Sequence, residues 1–303
     1  MKLSVIDTCG GTDMNYFIKN LILFPMNVLY SINPKKEIEL MFYLKQKRRL
    51  DLQNPKTYNE KLNWIKLNYK NELMSICSDK YLVRGYVEEK GCREILNTLL
   101  WQGFNPEEIP FSELPSEFVI KVTHGSGFNI ICKDKNTLDK KKTIKLLKKW
   151  LRTKYIKCYG EAWYGVEKPR IIVESYLKNN DNSPLFDYKF FCFDGEPKWV
   201  YVDTWKDGAH HINMYDMDFN LLDDVSLGYP RDDTEISPPA NYAQLIETAK
   251  SLSEGFPHVR VDLYSINGNV VFGEMTFSKG AGFDKIQPYE FELEMGNCLK
   301  LPE

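Results

Sequence analysis

In RVDLYSINGNVVFGEMTF, residues 260–277, Asp262 and Glu274 lie in two apolar β runs on either side of an Asn-Gly turn signal. What this pair can do depends on register. A two-residue turn at Asn267–Gly268 opposes Asp262 to Gly273 and sends Glu274 to the other face, whereas a three-residue loop, Asn267–Asn269, opposes Asp262 to Glu274 and Arg260 to Thr276. Carboxylates directly opposed on a strand pair stand about 5 Å apart and repel unless a cation lies between them. That spacing suits magnesium, which takes one or two protein carboxylates and fills its octahedron with water and nucleotide phosphates. The three-residue loop, with both carboxylates on one face, is therefore the expectation; an exposed hairpin of ordinary polar residues is the competing account of this segment alone.

Three further stretches carry chemistry. In FVIKVTHGSGFNIICKDK, 118–135, Lys121 sits in a β run just ahead of a glycine loop, and a second β run follows. A P-loop places its lysine after the glycines and leads into a helix, so this segment is a hairpin and a different device. KPRIIVESYL, 168–177, is an apolar strand ending in Glu174 and a short hinge; a carboxylate there can accept the amine of adenine while the backbone of Ser175 and Leu177 bonds its edge, although a surface glutamate at a strand end is the commoner case. LFDYKFFCFDGEPKWVYVD, 185–203, predicts a hairpin turning at Asp194–Gly195, with Asp187 and Lys189 on one face. A carboxylate suits ribose hydroxyls and a lysine suits phosphate.

Histidines are few. His124, at the tip of the glycine loop, can touch a γ-phosphate or the attacking group, or make a hydrogen bond that only shapes the loop. His210 and His211 lie beside Asp207 and Asn213 in a strand edge without a third ligand in sequence, which makes them surface or acceptor-site residues and not metal ligands.

The elements that must hold these residues change character near residue 115. Before it, YNEKLNWIKLNYKNELMSIC and DKYLVRGYVEEKG repeat apolar residues at helical intervals. After it most of the chain is strand, at 170–177, 188–193, 199–203, 212–216, 259–266 and 270–276, with a basic helix over 141–157 and another at about 240–254. The basic face of the first is expected to be solvated. NLILFPMNVLYSI, 20–32, is interrupted by Pro25 and too short to span a bilayer; a helix end packed on the domain is preferred to a membrane-surface contact, which the nearby KQKRRL keeps open.

Composition removes several classes. A net charge of −2 with balanced acids and bases gives no nucleic-acid footprint. Seven cysteines without a C-x-x-C pair make neither a disulfide framework nor a zinc pattern, and point to a reducing cytoplasm.

The order of these pieces, a lysine strand with a glycine loop, V-E-x-x-L, D-x-K and then R-x-D…E, resembles the ATP-grasp superfamily. NPKTYNEKLNW (54–64), SDKYLVRGYV (78–87), KVTHGSGFN (121–129), DYKFFCFDGEPK (187–198) and GEMTFSKGAGF (273–283) resemble its TupA-like branch, found with polysaccharide and teichuronopeptide biosynthesis genes. The likeness covers about residues 50–290. It implies an α+β fold in which two α+β lobes clasp ATP, here with a helical N-terminal region over 1–77 and the ATP-grasp domain over 78–303.

The resemblance also implies roles. Lys121 holds nucleotide phosphates, the loop Thr123–Gly127 (His124, Gly125, Ser126, Gly127) closes over them through backbone amides, and Arg84 takes the place of a second phosphate-binding lysine. Glu174, Ser175 and Leu177 receive adenine, Asp187 the ribose, and Lys189 a phosphate or the acyl-phosphate. Asp262 and Glu274 hold Mg2+, and Arg260 steadies charge as the acyl-phosphate is attacked. Thr276 stands where relatives place Asn or Asp, a weaker ligand for a hard cation. The implied activity is an ATP-dependent carboxylate–amine ligase acting on a uronic acid, a sugar nucleotide or an amino-acid carboxylate in capsular polysaccharide synthesis, with a small amine as acceptor. A capsule glycosyltransferase and a non-catalytic nucleotide-binding scaffold are the alternatives; the first lacks a D-x-D element that the ATP assignment leaves over, and intact Lys121, Asp262 and Glu274 argue against the second.

Overall fold

The computed structural model describes residues 21–125, 127–181, 183–206 and 208–302. Helices α1 (Phe24–Ile32), α2 (Pro34–Gln46), α3 (Tyr58–Asn68), α4 (Glu72–Ser78) and α5 (Val83–Glu89) come first. Each boundary is written locally. Pro25 and Pro34 sit in first turns, where a missing N–H is harmless, and Thr57 with Glu60 forms a capping box that opens α3. Leu21 and Ile22 are helical, Leu23 is a turn and α1 starts afresh at Phe24 with Pro25 in its first turn, so the apolar run is interrupted there as expected.

Two antiparallel sheets follow. Strands β1 (Leu99–Gly103), β2 (Phe118–Val122), β3 (Asn129–Cys132) and β4 (Ile171–Ser175) form the smaller, in the order β1-β4-β2-β3. Helix α6 (Lys140–Leu151) covers it, burying Leu147 and Trp150 against a core that includes Phe118, Ile120, Ile171 and Val173. The basic helix expected over 141–157 thus stops at Leu151. The larger sheet has β5 (Asp187–Phe193), β6 (Glu196–Lys206), β7 (Ala209–Tyr215), β8 (His258–Ile266) and β9 (Asn269–Thr276), ordered β7-β6-β5-β8-β9, with α7 (Tyr242–Ser253) between β7 and β8 and α8 (Tyr289–Cys298) at the end. Strand β1 and helix α8 were not anticipated.

Alternation along the large sheet gives it two unlike faces. Phe190, Cys192, Val200, Val202, Val261 and Leu263 are buried together with Leu245, Ala249 and Leu252 of α7. The other face is apolar at one end, where Phe191, Phe193 and His258 pack around Tyr58 of α3, and along β7, where Met214 and Ile212 lie opposite Tyr201 and Asp203. Its remainder is polar.

The N-terminal apolar run packs on the domain along one side only. Leu23, Met26 and Tyr30 pack against the cluster of Met41, Phe42 and Ile156, while Leu21, Ile22, Phe24 and Ile32 are exposed. Asn20, the first residue of that run, lies outside the described residues.

Candidate active site

The polar face of the large sheet is set by strand register. β5 opposes Lys189 to Asp262 and Asp187 to Tyr264, β6 opposes Tyr201 to Lys189 and Asp203 to Asp187, and β9 opposes Glu274 to Asp262 and Thr276 to Arg260. The pairing of the two carboxylates is the expected one, but the loop is not. The turn is the two-residue Asn267–Gly268, both left-handed (φ 52° and 79°), which pairs Ile266 with Asn269 and Leu263 with Phe272. A bulge then absorbs Gly273 and brings Glu274 opposite Asp262. A Cβ at Gly273 would stand 2.8 Å from the Asp262 carbonyl oxygen, so the bulge needs glycine. It also shifts the apolar phase, from Val270 and Phe272 to Met275 and Phe277, all four buried.

Arg260 joins this group together. Its Nη2 donates to Asp262 Oδ2 at 2.7 Å, Glu274 Oε1 at 3.1 Å and Thr276 Oγ1 at 2.9 Å, while Nε donates to Asp262 Oδ1 at 2.7 Å and Nη1 to the Tyr201 hydroxyl at 2.9 Å. Lys189 Nζ lies 2.7 Å from Asp262 Oδ2 and also bonds Asp187. Burial works against charge on Lys189 and Arg260, yet Asp187 and Asp262 hold the first, and Asp262 and Tyr201 the second, well above their ordinary values. Both remain cations.

Asp187 departs from expectation. Its Oδ2 accepts from Lys189 and from Tyr264 Oη, its Oδ1 is buried without a partner, and burial pushes its carboxyl up to about 7 against the pull of Lys189. Here the carboxylate is engaged by Lys189 and Tyr264.

The small sheet contributes the other wall. Glu174, buried at the end of β4, is held by Lys121 Nζ at 2.8 Å and Arg84 Nη1 at 3.2 Å. The two cations expected at phosphate and the carboxylate expected at adenine are thus one ion-paired group. Ser175 is already used: its N–H donates to the Thr98 carbonyl and its C=O accepts from Asn97 Nδ2. The Ser175 N–H is thereby committed, while its carbonyl keeps a second lone pair, and Leu177 lies two residues past β4.

The glycine loop links β2 to β3 with Gly125 and Gly127 left-handed at φ 75° and 78°. Ser126 lies outside the described residues. His124 is buried, and its Nε2 meets the Thr153 carbonyl at 2.7 Å. A carbonyl only accepts, so Nε2 carries the proton. Burial lowers the pKa of this ring, which leaves Nδ1 a lone pair that cannot bond a phosphate oxygen. His124 shapes the loop.

Lys80 was missed. Its backbone N–H bonds the Thr123 carbonyl and its Nζ donates to the Gly125 carbonyl at 2.6 Å, tying α4–α5 to the loop. Its signal was the lysine inside SDKYLVR, one place after Asp79, overlooked beside Arg84. Burial lowers its pKa, and Glu274 partly restores it. The two walls meet at Glu274. Desolvation works to raise this carboxyl, but Lys80, Arg260, Lys189 and Lys121 together hold it below the usual range. With 47% of its side chain exposed, it is the carboxylate of the pair open to an incoming cation, whereas Asp262 is 1% exposed.

Two opposed carboxylates beside a hydroxyl form a hard-oxygen set that fits Mg2+ completed by phosphate and water. Arg260 Nη2 occupies the space between them here, and among the described residues no group of three His, Cys, Asp or Glu side chains could hold a metal without such outside ligands.

Beyond Lys189 the face continues to Asp203 and His210 and to the rings of Trp205 and Tyr229. Lys279, after β9, lies 5.7 Å from the ring centres of both Tyr201 and Tyr229 and 2.5 Å from Asp284 Oδ2. His211 is half-buried with Nδ1 near the Ala209 carbonyl, Asn213 is turned to Asp232, and Asp207 lies outside the described residues.

A model of the TupA-like ATP-grasp family matches residues 60–300. Among solved structures, the D-alanine–D-alanine ligase of Bacillus anthracis complexed with ATP gives a TM-score of 0.42 at 14% identity over 68% of this chain and 57% of that one, so the chain spans little more than half of that ligase. Another structure of the Bacillus anthracis ligase gives 0.44 at 16% identity, covering 75% of this chain and 69% of that one. The ATP-grasp ligase PsnB, complexed with a phosphomimetic variant of its minimal precursor, Mg and ADP, gives 0.44 at 12% identity over 98% of this chain and 78% of that one. No curated protein matches the chain.

Proposed function

The chain belongs to the TupA-like ATP-grasp family, and from that premise we propose that it joins a carboxylate to an amine through an acyl-phosphate, with ATP and Mg2+. One observation supports this best: cations from two sides, Lys121 of the small sheet with Lys80 from between α4 and α5, and Arg260 and Lys189 of the large sheet, act on the half-exposed Glu274. A triphosphate between the sheets meets the same cations.

Lys80, Lys121 and Arg84 bind its phosphates under the glycine loop, releasing Glu174 from its ion pairs toward the adenine amine, with Leu177 at the hinge. Asp262 and Glu274, with Thr276, hold the metal, which when bound neutralises charge on the transferring phosphoryl group. A carboxylate oxygen attacks the γ-phosphorus and ADP leaves. Lys189 holds the acyl-phosphate, and Arg260, displaced from between the carboxylates, donates to the oxygen that gains charge when an amine attacks the acyl carbon. Amide and phosphate are the products.

The polysaccharide setting implied by the family resemblance favours a uronic acid or its nucleotide-linked form, and a cytoplasmic enzyme. The exposed side of α1 supports contact with a membrane surface, tested by co-sedimentation with anionic vesicles, which Phe24→Ser should weaken. Among the described residues no helix is long and apolar enough to cross a membrane.

Hydroxylamine tests the chemistry. With MgATP and a panel of D-glucuronate, D-galacturonate, UDP-glucuronate, L-glutamate and D-alanine, at least one carboxylate should yield a hydroxamate together with ADP. AMP as product, or stabilisation by UDP-sugars and not by ATP, would discard the acyl-phosphate.

A further inference from the structure

An amine reaches a neutral site as an ammonium, so attack on an acyl-phosphate needs a base near the acyl carbon. The groups nearest Lys189 are committed: Asp262 to Arg260 and Lys189, Asp187 to Lys189 and Tyr264, and Tyr201 to Arg260. The next group outward is a pair. Asp203 Oδ2 lies 3.6 Å from Lys189 Nζ, and Asp203 Oδ1 lies 2.8 Å from His210 Nε2.

We propose that His210, oriented by Asp203, is the base that takes the proton from the attacking amine, and that Trp205, His210 and Tyr229 border the amine subsite. The proposal rests on the ligase function above.

The geometry fixes both the ring and its tautomer. β6 and β7 place His210 opposite Trp205, and Asp203 lies two residues along the same face. The imidazole stacks on Trp205 at 5.0 Å and 23° and meets Tyr229 edge-on at 4.5 Å and 62°. A carboxylate accepts, so Nε2–H donates to Asp203 and Nδ1 keeps its lone pair, with no hydrogen bond to it among the described residues. Desolvation opposes charge on Asp203, but the His210 bond and Lys189 keep the carboxyl below its ordinary value. It stays an anion that can stabilise an imidazolium, the part a carboxylate plays behind a histidine base elsewhere. The charged neighbours are Asp203 on β6, Lys189 on β5 and Lys279 beyond Tyr229. His210 keeps 24% of its side chain exposed, which leaves it reachable.

The step balances. One ammonium proton passes to His210 Nδ1, and the freed pair on nitrogen forms the C–N bond. The bond from the acyl carbon to the phosphate oxygen breaks, the second nitrogen proton leaves with phosphate, and His210 returns its proton to water.

The test compares two nucleophiles on whichever carboxylate of the panel forms a hydroxamate. Hydroxylamine is largely neutral at pH 7 and needs no base; glycine is an ammonium. His210→Asn should lower glycine-dependent amide formation about a hundredfold, as loss of a general base does, while hydroxamate formation stays near wild type. Raising the pH should restore the glycine rate in the variant. Asp203→Ala should give the same selectivity more weakly and release the His210 ring from its Nε2–H tautomer, seen in the imidazole nitrogen shifts by NMR, a readout that needs no substrate. Equal loss with both nucleophiles, no loss with either, or an unchanged tautomer overturns the base assignment. A wild type that makes no hydroxamate from any carboxylate overturns the ligase function and the base with it, and a retained MgATP melting shift in His210→Asn separates lost chemistry from lost fold.

Discussion

Asp262 and Glu274 face each other across β8 and β9 with one nitrogen of Arg260 between them, 2.7 Å from the first and 3.1 Å from the second. A guanidinium in that position answers the repulsion of two opposed carboxylates without a metal. Under the proposed function, a metal held by this pair would have to replace Arg260 Nη2 there, freeing that nitrogen for another acceptor.

Glu274→Gln isolates that exchange. MgATP should raise the melting temperature of the wild type more than ATP with chelator does, because a ligand bound only by the folded state stabilises it by mass action. The variant should show no difference between the two. Its unliganded melting point should fall modestly, since the charge on which Lys80, Arg260, Lys189 and Lys121 act is removed from a half-exposed side chain. A persisting magnesium increment would move the metal elsewhere.

Lys121→Ala and Lys80→Met should each remove most of the shift caused by MgATP. Lys121→Ala leaves Glu174 with Arg84 as a partner, so the protein should still fold. Calorimetric affinities equal to wild type in both variants would take the triphosphate away from the glycine loop.

Arg260→Ala would strand the buried Asp262 with Lys189 alone and destabilise the fold, so Arg260→Lys is the cleaner probe. It keeps the charge but loses the fork. Hydroxamate turnover should fall about a hundredfold while ATP affinity changes far less, as for a donor that acts on charge appearing in the transition state. Parallel loss in both would make Arg260 a binding residue.

Acid stability should carry the mark of His258. This buried ring donates from Nδ1 to the Cys192 carbonyl and accepts at Nε2 from the Tyr58 hydroxyl, and burial lowers its pKa from 6.5 to about 3. Between those values the unfolded chain binds a proton that the native state refuses. Stability is therefore whole above pH 6.5 and declines as pH falls toward 3, by up to about 1.4 kcal/mol per unit. Urea titrations across that window should show a shallower decline in His258→Gln, and an identical slope would exclude the histidine as its source.

Much of this arrangement was legible because alternation decides faces. Lys189, Arg260 and Asp262 sit among strand-forming residues, and their alternation with buried apolar neighbours is enough to collect them. The bulge was legible too, in Gly273 and in the apolar positions moving from 270 and 272 to 275 and 277; choosing between loop lengths without asking whether a strand keeps its phase hid it. The partners of Ser175, Asp187 and His124 were less legible: Thr98 and Asn97, Tyr264, and Thr153 are supplied by pairing and packing that no local pattern announces. Strand β1, which follows Asn97 and Thr98 and pairs with β4, was itself unforeseen.

The glycine bulge has a consequence for how this hairpin can vary. The inner half of β9 is counted from the turn and the outer half from the opposing carboxylates, and Gly273 is the place where the two counts are reconciled. A single residue gained or lost between Asn267 and Gly273 acts like a frameshift, sending either Val270 and Phe272 or Glu274 and Thr276 to the wrong side of the sheet. A turn one residue longer restores the frame only if the bulge is lost with it, so length changes at this tip are tolerated in compensating pairs.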